Sequence, residues 1–175
     1  MTTSRRDFLR RGAAAGLAVS TGATPTAAAA GPSEPQLVSA AVVLEQRAVL
    51  LYRAGGASHL LTPSFAALVR RMEGHAREHV AVLQTVLEAL GGSQPEPPGG
   101  VRGLAEVRTQ RRFAELALEF ESELVAGYNV ALRTLADPKL IGTIGSIMAS
   151  AGQHLVLLRA TLGREPVPSA FETGT

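Results

Sequence analysis

A glutamate and a histidine, each set among apolar neighbours, recur in this chain after about 75 residues. Glu45 lies in LEQRAVLLY (44–52) and Glu121 in FESELVAGY (120–128), each seven positions ahead of a tyrosine, Tyr52 and Tyr128. His79 lies in AREHVAVLQTVL (76–87) and His154 in AGQHLVLLRATL (151–162). The offset is 76 residues for the glutamates and 75 for the histidines. A chain made of two such halves is tightly constrained. Two helical hairpins related by an approximate twofold bring two carboxylates and two imidazoles to one centre.

Apolar periodicity supports that arrangement. A first helix is expected from about 35 to 53, with Val38, Ala41, Val42, Ala48, Val49 and Tyr52 on one stripe and Gly55-Gly56 ending it. A second, 62–90, opens on Thr62 as N-cap with Pro63 behind it and stops at Gly91-Gly92; its stripe holds Phe65, Leu68, Met72, Val82, Leu83, Val86 and Leu90. Pro and Gly then exclude regular structure up to Gly103. A third helix is expected over 109–135 and a fourth over 138–162, the latter capped by Asp137 and ended by Gly163. Short links within pairs and a long one between them describe an all-α four-helix bundle with one crossover and internal duplication. No alternating β-branched run argues for strands. The Pro-containing tail after Arg164 is expected to be extended, with Phe171 either laid on the bundle or free.

Residues 1–30 have a different character. Ser4-Arg5-Arg6-Asp7-Phe8-Leu9-Arg10, an Ala/Gly-rich stretch and a small-residue end at Ala28–Ala30 read as a twin-arginine signal peptide. The expectation is cleavage after Ala30 and a periplasmic or extracellular protein, anchored if the signal is retained. The signal holds four of the 17 basic residues and one of the 15 acidic ones, which leaves 13 basic against 14 acidic. The whole-chain pI of 9.7 is therefore no pointer to nucleic acid. The chain has no cysteine, which excludes disulfides, thiolate ligands and a lipoprotein anchor. No apolar run of about 18 residues follows residue 30, so no transmembrane span is expected there. Neither a protein partner nor an oligomeric state is readable.

The chemistry rests on contrast within helices. Glu121 shares its stripe with Ala117, Leu118, Leu124 and Val125, whereas Glu119 and Glu123 fall on the opposite, solvated side. A carboxylate on an apolar face is costly unless paired, hydrogen-bonded or bound to metal. Carboxylate and imidazole together suit Fe, Mn or Zn. Tyr52 and Tyr128 stand about one helical level away, placed to donate hydrogen bonds to the centre or simply to pack. His75, four residues before His79, shares its face and is a further candidate ligand or a partner to one. Its counterpart is Ser150. His59 falls in a loop.

LEQRAVLLY, EHVAVLQTVLEALGG, FESELVAGY, SIMASAGQHLVLLR and the terminal PVPSAFETG together resemble an exported bacterial ferritin-like protein over the whole region after residue 30. Di-metal members of that superfamily take one Glu from each of two helices and a Glu-x-x-His motif from each of the other two. The resemblance implies that Glu45 and Glu121 match the single glutamates, and His79 and His154 the motif histidines. The motif glutamates are absent, since positions 76 and 151 are alanine. Glu78 projects about 100° away from its neighbouring histidine and is no replacement. Two carboxylates balance one divalent ion where four balance two. The resemblance thus implies a single Fe, Mn or Zn ion between two Glu and two His. A metal-free structural or interaction bundle with a relic site is the alternative, and a di-metal ferroxidase or peroxide-consuming enzyme is the least supported. No catalytic residue is assigned.

Overall fold

The computed structural model describes residues 31–174, and the signal-peptide expectation lies outside them. The described residues form four helices and no strand: α1 (Glu34–Gly56), α2 (Pro63–Ala89), α3 (Gln110–Leu132) and α4 (Pro138–Thr161). Each begins where a side chain or proline answers the unpaired amides of a helix start. Gln36 Oε1 accepts from the Ser33 amide at 2.8 Å, Thr109 Oγ1 from Arg112 at 3.2 Å and Asp137 Oδ1 from Lys139 at 2.8 Å. Pro63 follows an extended Thr62. At the far ends of α2 and α4, Gly91 (φ 71°) and Gly163 (φ 68°) take the left-handed conformation. The amides beyond them turn back onto Leu87 and Arg159.

Two boundaries differ from the sequence expectation. α1 runs through Gly55 to Gly56 instead of stopping after Arg53. A Cβ at position 55 would lie 2.2 Å from the Phe113 ring, so this glycine makes room for an aromatic of α3 and does not end the helix. α3 ends at Leu132, three residues early, although the Leu135 amide still bonds Ala131 O at 3.1 Å. Pro138 disfavours helical backbone at Asp137 (ψ 118°), so the chain must leave α3 before it can cap α4.

α1 packs along α2 and α3 along α4, while α1 also faces α3 and α2 faces α4 across the bundle. The inward line of α2 is Phe65, Val69, Met72, Ala76, Leu83 and Leu87. Val82, assigned to that stripe above, is 48% exposed because it stands one residue, about 100°, off this line. The loop between α2 and α3 is irregular, as its prolines and glycines require. The tail is fixed by an ion pair of Arg159 with Glu172 at 2.6 Å, while Phe171 is 81% exposed.

The sequence premise that no long apolar stretch follows residue 30 needs one qualification. α4 is the one helix among the described residues long and apolar enough to cross a membrane, with a mean hydropathy of 1.4 over its 18-residue window. Glycines and serines hide this from the eye, but no Asp, Glu, Lys or Arg falls between Lys139 and Arg159. In the bundle its buried Leu140, Ile144, Ile147, Leu155 and Leu158 form one wall of the core.

Candidate metal centre

Glu45 sits on α1 between the buried turns of Val42 and Ala48, and Glu121 on α3 between Ala117 and Leu124. Both are buried, at 2% and 1% exposure, and His154 of α4 is buried at 5%. His79 of α2 is half-buried, with 17% of its side chain exposed. The four side chains come from four helices, yet all line one cavity of about 10 Å³ with Ala48, Tyr52, Ala76, Leu124 and Ala151. That volume is near the minimum for one water molecule. Ala76 and Ala151, each three residues before a site histidine, form part of its wall, and Glu45 and Glu121 are the acids that line it. The repeat would also have revealed Ala48 and Leu124, each three residues after its glutamate.

Residue by residue the hydrogen bonds follow the internal twofold, although Glu45 uses both of its oxygens and Glu121 only one. Within each hairpin a histidine meets a glutamate: His79 Nδ1 lies 3.2 Å from Glu45 Oε2, and His154 Nδ1 lies 2.9 Å from Glu121 Oε1. Between hairpins the tyrosines cross over. Tyr128 donates to Glu45 Oε1 at 2.5 Å, and Tyr52 donates to Glu121 Oε1. The seven-residue spacing explains the exchange, since antiparallel α1 and α3 set each tyrosine level with the other helix's glutamate. Burial first, then the adjacent glutamate charge, pushes both phenols well above their ordinary pKa, so they remain donors.

His75 breaks the symmetry. Its ring does not line the cavity. Its Nδ1 lies 3.0 Å from His154 Nε2, in the other hairpin, a contact that spacing within α2 does not reveal. Burial, then the neighbouring His154 and His79, lowers its pKa.

Whether a cation suits these residues can be judged from the polar atoms. Glu121 Oε2 is buried with no hydrogen-bond partner. Two carboxylates face a cavity with no lysine or arginine on its wall. A buried acceptor of this kind is costly unless water or a cation reaches it. Hard carboxylate and borderline imidazole donors in a two-and-two set fit one divalent ion of the Fe, Mn or Zn kind. Among the described residues no three such side chains stand together as a ready cation cage; each histidine is paired with its own glutamate. Binding would therefore exchange those pairings for metal bonds.

Other candidates fall away. Glu78, Glu119, Glu123 and His59 are exposed. A larger cleft of about 290 Å³ beside Val49, Leu50, Val80, Pro97 and Pro98 has one charged group, Arg77. That guanidinium is paired to Glu73 at 2.5 Å.

The family model described as the ferritin-like domain matches residues 33–164. Among solved structures, a conserved hypothetical protein of Mycobacterium tuberculosis superposes with a TM-score of 0.67 at 18% identity. The alignment covers 77% of this chain and 94% of that one, and at this identity it concerns the fold alone. No curated protein matches the chain.

Proposed function

The chain belongs to the ferritin-like domain family, and on that premise we propose that it is an exported bundle protein holding one divalent ion, Fe, Mn or Zn. Glu45, His79, Glu121 and His154 are the ligands, and Tyr52 and Tyr128 hold the two carboxylates in place. One observation carries the reading: Glu121, a buried glutamate on the wall of a cavity that a second buried glutamate shares, has one oxygen without a partner. When bound, the ion would supply two positive charges where the chain has two buried negative ones. The tyrosine hydroxyls keep the carboxylates from rotating out of the cavity, and Ala48, Leu124, Ala76 and Ala151 keep the centre small. With two carboxylates missing, a second ion has no charge balance, so a di-metal redox centre finds no support. Export rests on residues 1–30 acting as the twin-arginine signal described above.

The pairings favour one alternative, a metal-free bundle in which Glu, His and Tyr satisfy one another. Elemental analysis of the purified full-length protein separates the two. About one equivalent of metal is expected in the wild type and almost none in Glu45→Gln/Glu121→Gln, which keeps side-chain volume and the tyrosine acceptors. A metal-free wild type that takes up no Fe, Mn or Zn on addition sinks the proposal.

A further inference from the structure

The twofold fails at the outer nitrogens of the two site histidines. The side chain of His79 is 17% exposed. The side chain of His154 is only 6% exposed, and its Nε2 meets Nδ1 of His75 at 3.0 Å. The ring planes are 9° from parallel with centroids 5.3 Å apart, which sets the two nitrogens edge to edge. The repeat-equivalent of His75 is Ser150, so the first hairpin's histidine has no matching partner.

We propose that His75 is a positioning residue, the reversible hydrogen-bond partner that lets buried His154 present a bare Nδ1 to the cavity. The inference rests on the single-ion reading above. A neutral imidazole carries one donor and one acceptor nitrogen. His154 Nδ1 lies 2.9 Å from a Glu121 oxygen that also accepts from Tyr52, so without a cation the proton sits on Nδ1. Nε2 is then the acceptor, and His75 donates from its Nδ1. Holding a cation at Nδ1 requires the opposite tautomer, with the proton on Nε2. His75 Nδ1 then accepts. Because His75 is only half-buried, its other nitrogen would be satisfied by water in either tautomer. An apolar side chain at position 75 would leave the buried Nε2–H without a partner, which penalises the metal-binding tautomer alone. Groups that orient a ligating histidine in this way are worth about 10- to 100-fold in metal affinity.

The test is zinc affinity of the full chain, read by competition with a chromophoric chelator, for wild type, His75→Leu and His75→Asn. His75→Leu is expected to bind about 10- to 100-fold more weakly. His75→Asn, whose carboxamide oxygen sits near the lost Nδ1 and accepts from Nε2–H, is expected to recover most of that loss. Long-range 1H–15N spectra of the zinc-loaded wild type should show His154 protonated on Nε2 and hydrogen-bonded there. A mere packing role for His75 predicts neither the rescue nor that signature. Equal zinc affinity in His75→Leu, no recovery by His75→Asn, or a proton on Nδ1 of loaded His154 overturns the inference alone. A wild type that takes up no zinc removes the single-ion reading and this inference with it.

Discussion

Alkaline titration offers an unusually clean probe of the site. The chain has two tyrosines, Tyr52 and Tyr128, no tryptophan, no cysteine and one lysine, Lys139. Arginine stays charged throughout, so the two site phenols are the groups that alkaline pH reads. Both phenols are buried and donate to Glu121 and Glu45, and burial with the nearby carboxylates holds their folded pKa well above the usual value. In the unfolded chain they ionise near pH ~10. Above that pH the unfolded state binds fewer protons than the folded one, so stability must fall as pH rises. The contribution is fully present below pH ~10 and is lost until the folded pKa is reached. Each phenol contributes a slope of about 1.4 kcal/mol per pH unit, so the pair approaches about 2.7 kcal/mol per unit. Urea unfolding followed by circular dichroism between pH ~9 and ~11 measures the slope, and near-ultraviolet tyrosinate absorbance tells when each phenol ionises. Tyrosinate should appear only as helix is lost, and Tyr128→Phe should halve the slope. Tyrosinate forming near pH ~10 in a fully helical protein would refute the buried-donor geometry.

Two further perturbations address packing and the missing acids. Gly55→Ala drives a Cβ to 2.2 Å from the Phe113 ring. That ring is itself buried against Phe65 at 6.1 Å, so a loss of about 1–3 kcal/mol is expected in urea unfolding, against a gain had Gly55 been a helix stop. Ala151→Glu places a Glu-x-x-His sequence on the wall of the cavity. Without metal it should destabilise the fold, by about 1–3 kcal/mol from overpacking and more from a third buried carboxylate, and so lower the urea midpoint. Added Mn(II) or Zn(II) should recover stability in this variant more than in the wild type, and an unchanged midpoint without metal would show that position 151 does not face the centre.

Much of the fold was legible because its signals are local. Thr62 and Asp137 stand at helix starts where the following prolines predict, the Asp137 side chain accepting from the first turn, and Gly91 and Gly163 end helices. The buried glutamates stood out because each occupies an apolar stripe while Glu119 and Glu123 lie off it. Signals with two meanings were harder. Gly55 reads as a helix stop from sequence, yet it marks a close approach to another helix. Val82 reads as core because it is apolar, yet a rotation of one residue exposes it. The apolar length of α4 is visible only as an average over glycine and serine.

The sequence by itself determined four amphipathic helices, their pairing into two hairpins, and the recurrence of one acid and one imidazole in each half. Periodicity and capping reach across a few residues, and a duplication copies them at a fixed offset. Tertiary structure alone decided which side chains touch. Antiparallel packing of α1 on α3 assigned each tyrosine to the opposite glutamate, and packing of α2 on α4 joined His75 to His154. It also closed the centre to about 10 Å³. Those partners are separated by 69 to 83 residues. Their contact depends on the register between helices, which the periodicity within any one helix does not encode.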